Sequence, residues 1–383
     1  MAQLFWLSAA VVIYVYFGYP LLLKLHVLGG PKPWRRGHAQ PLISVIVPAH
    51  NEESVIETKI KNLLSSDYPR ERVAVLIGSD GSSDSTEDIV RRFVADGVGL
   101  ISFPQHRGKS AIQNGLVAKA SGSILVFTDA DCILSAHALS CLVENFADED
   151  VGLVSGIPRY LNDRETDIAQ NEDTYLRYET WLRTRESEYG LLAMASGSLF
   201  AMRRTLWKPL DPNVGDDFTL PLHVALSGKR NVLDSRAVAL TPLTQNRADS
   251  MFKLKVRIVS KDLRALLANG RILNPFHYGG LAVSLWSHKV LRWFVPYFLL
   301  AVFTSNVFLW HVPFYRVVFL SQMMFYGTAL VGLALRNTRI AFPISIPMSF
   351  CVVNFASLIG TAKCLVGRKS GSWKPVRKRS SAA

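Results

Sequence analysis

Hydrophobic positions along the chain fall into two regimes. Between residues 41 and 250, short apolar runs alternate with amphipathic stretches, while outside that window the apolar runs are far longer. ISVIVPA (43–49) is continuously apolar, the pattern of a strand buried on both faces. RVAVLIGSD (72–80), GLISF (99–103) and SILVFTDAD (123–131) read the same way. Between them HNEESVIETKIKNLLSS, GSSDSTEDIVRRFVAD and KSAIQNGLVAKA (109–120) read as helices. Asn51 is placed to cap the first, with Glu52 and Glu53 in its opening turn, and Ser83 or Ser85 to cap the second. Ser135 is placed to cap a further helix, AHALSCLVENF. This rhythm predicts an α/β domain with a mostly parallel sheet and helices on both faces.

The long apolar runs change the picture from a soluble enzyme to a membrane-bound one. Residues 4–25 meet the criterion of about 20 apolar residues for a spanning helix, as do about 291–310 and 315–335. About 340–362 is a fourth candidate, weakened by Pro343 and Pro347. The first run has no basic segment before it, is too long for a signal peptide and lacks an A-x-A cleavage site, so it is expected to stay as an anchor. The expected organisation is a helix over 1–27, a Gly/Pro/basic linker over 28–41 and a catalytic domain over 42–246. Interfacial amphipathic helices over 247–289, two or three membrane helices over 290–363 and a basic tail over 364–383 follow.

The net charge of +13 bears on topology. No Lys or Arg precedes the first apolar run, and Lys32, Arg35 and Arg36 follow it. The positive-inside rule then puts the domain in the cytoplasm, in a bacterial inner membrane by expectation. Arg336 and Arg339 agree, but the basic tail does not if 340–362 spans. Either that segment is re-entrant or interfacial, or the rule fails locally. Because much of the positive charge flanks apolar helices, nucleic acid is not the expected partner. The four cysteines show no C-x-x-C pairing, which argues against zinc or a disulfide framework.

Polar residues gather after the strands, where open α/β sheets bind ligands: His50-Asn51-Glu52, Ser79-Asp80-Gly81 and Asp129-Ala130-Asp131. No G-x-G-x-x-G follows the first strand and there is no G-x-x-x-x-G-K-[ST], so dinucleotide and P-loop binding are not expected. Two like charges at Asp129 and Asp131, on one side of a strand end, call for a cation between them. Mg²⁺ or Mn²⁺, held by one or two carboxylates and a substrate diphosphate, meets that need. A second acidic pair, Asp216-Asp217, follows Gly215; its plainer reading is a helix N-terminus favoured by the dipole. In 251–269, Phe252, Val256, Val259, Leu263 and Leu266 form one helical face and Lys253, Arg257, Lys261 and Arg264 a neighbouring one. That pattern fits a helix lying in the membrane interface.

VIVPAHNEE, SDGSSDST, RGKSAIQNG, FTDADC, ASGSLFAMRR and GDDFTLPLHVALSGKR occur in order. Together they resemble family 2 glycosyltransferases over residues 41–240, and the flanking apolar helices resemble the membrane-bound cellulose, chitin, hyaluronan and poly-N-acetylglucosamine synthases. The resemblance implies a GT-A fold and a nucleotide-sugar donor, a UDP-sugar by expectation. It assigns Pro48, Glu52, Asp80 and Lys109 to the nucleotide, Asp129 and Asp131 to metal and diphosphate, and Gly197 to donor or acceptor. Asp217 aligns as the base, because Gly228 lies eleven residues on, and Asp216 takes the neighbouring acidic position. Arg257 or Arg264 is a candidate for neutralising the diphosphate.

One departure matters. The processive synthases carry Q-x-x-R-W after the base, and no such string occurs here. The expected activity is inverting transfer from a UDP-sugar to a hydroxyl of a saccharide or lipid-linked acceptor, at a surface of membrane lipids. The alternatives are a non-processive transferase acting on a polyprenyl-linked saccharide, or an inactive nucleotide-sugar sensor or subunit with export partners.

Overall fold

The computed structural model describes residues 1–160, 167–241, 248–335 and 342–367. Arg336, Arg339 and residues 368–383 of the basic tail lie outside these, so their bearing on topology is not described. Eight strands form one sheet: β1 (Ile43–Ala49), β2 (Val73–Asp80), β3 (Val98–Phe103), β4 (Ile124–Thr128), β5 (Ile133–Leu134), β6 (Val151–Tyr160), β7 (Leu199–Arg203) and β8 (Arg230–Thr241). Their order is β3-β2-β1-β4-β7-β6-β8-β5. β1, β2, β3 and β4 pair in parallel, β7 runs antiparallel between β4 and β6, and β8 returns parallel to β6. All seven residues of β1 are buried, as its unbroken apolar run requires. Its alternating side chains split between two cores: Val45 and Val47 pack on one face with Ile60 and Leu142, Ile46 on the other with Leu116 and Phe127.

The second core does not stop at the domain boundary. It continues through Phe218 to Val259, Leu263 and Leu266, and on to Trp293 and Cys364 of the long apolar helices. The helix Ala248–Ala268 is therefore sandwiched. A Cβ at Gly360 would lie 2.9 Å from Val259 Cβ, and the Phe252 and Phe355 rings stack 5.8 Å apart. Its apolar face, expected to rest on lipid, is covered by protein, since burying Val259, Leu263 and Leu266 against other side chains is worth about 1.5–3 kcal/mol each.

Among the described residues, four helices are long and apolar enough to cross a membrane: Ala2–Lys24, Pro275–Phe308, Pro313–Ala334 and Pro343–Leu365. Pro343 and Pro347 do not interrupt the last, which is one helix over Phe342–Leu365. A charged helix absent from the sequence expectations, Asp167–Glu188, joins the spans to the domain. Its Glu186 Oε1 accepts from Tyr19 (2.6 Å) and Ser284 (3.0 Å) and lies 2.7 Å from His288 Nδ1. Its Glu179 lies 3.1 Å from His288 Nε2, 3.1 Å from Arg183 and 2.9 Å from Arg292. The buried acids of this helix are thus paired through Glu186 Oε1 and Glu179 with groups from the first span and from Pro275–Phe308.

Of three expected caps, two are placed differently and one holds its position without the side-chain bond. Asn51 has a left-handed backbone (φ 55°), and its Oδ1 accepts from Ser83 N (2.8 Å); the helix begins later, at Ile56. Ser85 precedes the helix Thr86–Arg91 without a side-chain cap, and His137 rather than Ser135 precedes Ala138–Glu144.

Candidate active site

The carboxyl ends of β1, β2 and β4 open on one side of the sheet, and the polar residues of the motifs meet there. β4 ends at Thr128, so Asp129 and Asp131 are presented by the turn that follows it, not by the strand itself. Thr128 and the turn are held from beneath by a buried lysine. Lys59 Nζ donates to Thr128 Oγ1 and to the Cys132 carbonyl, both at 2.8 Å. Burial lowers the Lys59 ammonium to about 8, against the pull of the neighbouring acids.

From above, the turn meets Lys109. Its Nζ lies 2.8 Å from Asp129 Oδ1 and 3.2 Å from Asp216 Oδ2, and donates to the Gly197 carbonyl at 3.3 Å. Burial opposes the charge on Lys109, but Asp129 and Asp216 outweigh it and hold the ammonium above the usual lysine range. Burial also pushes the Asp129 carboxyl up, offset by Lys109. Lys109 opens the helix Lys109–Val117 directly after Gly108, whose φ of 89° favours glycine. Asp80 shapes that approach: fully buried, it accepts Arg107 N at 2.6 Å and Gly108 N at 2.8 Å, and lies 2.9 Å from His106. Pro48 pairs with Gly78 inside the sheet, and buried Glu52 donates its N–H to Thr86 Oγ1 (2.8 Å). These three residues sit in or under the wall of the site, Asp80 with its carboxylate engaged by protein.

The second acidic pair starts the helix Asp216–Leu226, so the dipole reading is correct as far as it goes. The two acids differ. Asp216 is buried and accepts from Gln113 Nε2 at 2.6 Å; despite burial, Lys109 and Gln113 hold its carboxyl below the usual range. Burial and the neighbouring Asp216 push Asp217 up instead. Gly197 lies against Asp217: a Cβ there would sit 3.1 Å from Asp217 Oδ2. A half-buried carboxylate with raised basicity, next to but off the Asp129–Asp131 turn, has the properties of a general base.

The helix Ala248–Ala268 divides its cations. Arg257 is half-buried and its charge interacts with Asp129, Asp217 and Asp216; Lys261, one turn on, interacts with Arg257, Asp216 and Asp217. Burial lowers both. Arg264 instead bonds toward Cys364 of the last helix. The structure thus brings Arg257 to the site and takes Arg264 away. Two residues unassigned from sequence join them: Lys261, which carried no signal beyond its basic stripe, and Asp262, which is buried beside Gly215.

Asp129, Asp131 and Cys132 each offer a ligand atom, and these lie within 4.8 Å of one another. The two carboxylates are hard oxygen donors of the kind Mg²⁺ and Mn²⁺ take. Burial raises the Cys132 thiol further from ionisation, so it is a poor third ligand.

Residues 44–210 match the family described as Glycosyl transferase family 2. Over that stretch the chain is similar to the family. It is 30% identical over 207 residues to a probable glycosyltransferase, YdaM, of Bacillus subtilis, covering 50% of this chain and 48% of that protein. It is 26% identical over 197 residues to a β-monoglucosyldiacylglycerol synthase of Trichormus variabilis, covering 49% and 42%. The chain spans about half the length of these curated relatives. Its fold is similar to that of a mannosyltransferase, PcManGT, from Pyrobaculum calidifontis, solved with GDP-Man and Mn²⁺. The TM-score is 0.71 at 22% identity over 96% of this chain and 100% of that one. The sheet and its helices are therefore a GT-A fold carrying long apolar helices.

Proposed function

We propose that the protein is an inverting glycosyltransferase that moves a sugar from a nucleoside-diphosphate donor to the hydroxyl of a lipid-linked acceptor at a membrane surface. The observation that carries this reading is the convergence of Asp129, Asp131, Lys109, Asp217 and Arg257 at the carboxyl ends of the parallel strands. Asp129 and Asp131 would hold Mg²⁺ or Mn²⁺, which when bound neutralises charge on the donor diphosphate. Lys109, Arg257 and Lys261 supply the protein's own positive charge to the same group. Asp217 takes the proton as the acceptor O–H bond breaks. The new C–O bond forms at the anomeric carbon while the old bond to diphosphate breaks, its electron pair leaving with the nucleotide.

The donor reading is a UDP-sugar, from the family resemblance; the fold neighbour's GDP-Man makes a GDP-sugar the competing donor. A lipid-linked acceptor is favoured by one feature. The helix carrying Arg257 and Lys261 packs through Gly360 and Phe355 onto an apolar helix long enough to span. The diacylglycerol-glucosylating relative fits that acceptor class. In this reading the domain is cytoplasmic, as Lys32, Arg35 and Arg36 after the first span imply.

The test is nucleotide release by the purified full chain in lipid nanodiscs, with a panel of UDP- and GDP-sugars and either metal. Metal-dependent release from one donor, stimulated by a lipid extract, is expected. No release from any donor, with intact nucleotide binding, would favour the sensor reading.

A further inference from the structure

Asp262 has no place in the reaction as proposed above, yet its carboxylate and that of the proposed base both approach Gly215. It is 6% exposed, on the helix Ala248–Ala268. A Cβ built on Gly215 would lie 3.0 Å from Asp217 Oδ1 and 3.4 Å from Asp262 Oδ1. The two carboxylates therefore both face the space at Gly215, from different helices. Any side chain at 215 would press on both oxygens.

The surroundings do not neutralise both acids. Asp262 meets Asp217 from the helix Asp216–Leu226, Lys289 from the helix Pro275–Phe308, Arg183 from the helix Asp167–Glu188, and Lys261 from its own helix. The helix Phe342–Leu365 packs on Val256, Val259 and Phe252 of the same helix through Gly360 and Phe355. Asp217 meets Asp216, Lys109, Lys289 and Arg183, and Arg257 interacts with it. Lys109 is already held by Asp129 and Asp216. Two carboxylates this close, in a buried setting, do not both ionise freely.

We propose that Asp262 is a positioning residue for Asp217, the two forming a carboxylate pair at Gly215 whose proximity sets the basicity of Asp217. The proposal rests on Asp217 being the base. Burial and then Asp217 raise the Asp262 carboxyl to about 7, which agrees with that geometry. The sign follows. Below this range Asp262 is neutral and Asp217 alone carries the charge. Above it, ionised Asp262 repels the charge on Asp217 and makes it the stronger base. The acceptor's proton goes to Asp217 and is later lost to water, so no other reactant is needed.

The test uses the full chain in nanodiscs, comparing wild type with Asp262→Asn, Asp262→Ser and Asp217→Asn. In Asp262→Asn and Asp262→Ser the rise in nucleotide release that wild type shows through about pH 7, as Asp262 ionises, should disappear, while the lower limb set by Asp217 stays. A packing role alone would lower the rate without removing that rise. Infrared titration of the carboxylic-acid band provides a readout that does not need activity or a foldable 262 variant. The band titrating near neutrality should shift to lower pH in Asp217→Asn, because the repelling charge is gone. A rise through about pH 7 that persists in the 262 variants, or an unmoved band in Asp217→Asn, would overturn the pair. Substantial transfer by Asp217→Asn would instead remove Asp217 as base, a separate failure, while the band would still report the coupling.

Discussion

Lys109 Nζ lies 2.8 Å from Asp129 Oδ1 and reaches Asp216 Oδ2 with the same ammonium. One cation thus ties the turn after β4 to the first turn of the helix that carries the proposed base. Donor-binding and proton-accepting parts of the site are therefore not independent.

Replacing Lys109 with Met should expose that dependence. The change leaves Asp129 and Asp216 facing each other with no ammonium between them. A loss of about 2–3 kcal/mol is expected, at the low end for a broken buried pair because Asp129 is partly solvated. Thermal unfolding in detergent reads the loss, and nucleotide affinity should fall with it. A variant as stable as wild type that binds nucleotide equally well would make the contact incidental.

Asp131→Ala should weaken nucleotide binding in Mn²⁺ and leave metal-free binding nearly unchanged, since one of two carboxylate ligands is removed. Calorimetric titration with metal and with chelator gives the comparison. If the difference between those two conditions survives the substitution, the pair is structural.

Arg257→Lys and Arg264→Lys should behave differently. Arg257 faces Asp129, Asp216 and Asp217, while Arg264 bonds toward Cys364. Lysine keeps the charge but loses the planar fork that grips a diphosphate. Transfer should fall about 10-fold or more for Arg257→Lys, an effect of roughly 1.4 kcal/mol, and little for Arg264→Lys. Equal tolerance at both would leave the diphosphate to Lys109, Lys261 and the metal.

Stability should also depend on pH through Asp262. Its folded carboxyl is raised to about 7, above the ordinary aspartate value, so the folded state binds the extra proton. The stability it contributes is complete below the unfolded value and is lost as pH rises through 7. The unfolding temperature of wild type should decline between about pH 4 and pH 7 more steeply than that of Asp262→Asn. Parallel curves would count against a neutral Asp262.

The sequence by itself determined what is local. Unbroken apolar runs such as ISVIVPA specify doubly covered strands because every residue must be buried. The long apolar runs mark helices able to span, and FTDADC and GDDF place acids next to strand and helix ends. Tertiary structure decided which charges meet. Arg257 and Arg264 are equivalent in a one-dimensional stripe, yet they lie two turns apart along one face of a sandwiched helix, and only the packing at each level fixes that Arg257 meets the acids and Arg264 meets Cys364. Asp262 reads as an ordinary helix-surface acid until the fold brings it beside Gly215. Lys59 reads as a solvated helix lysine until Thr128 and Cys132 close over it. The charged helix Asp167–Glu188 carries no apolar signature, because its burial is offset by pairing with His288, Arg292 and Tyr19 from segments remote in the chain. Such pairings depend on distances of a few ångströms between elements, and periodicity within one element carries no information about them.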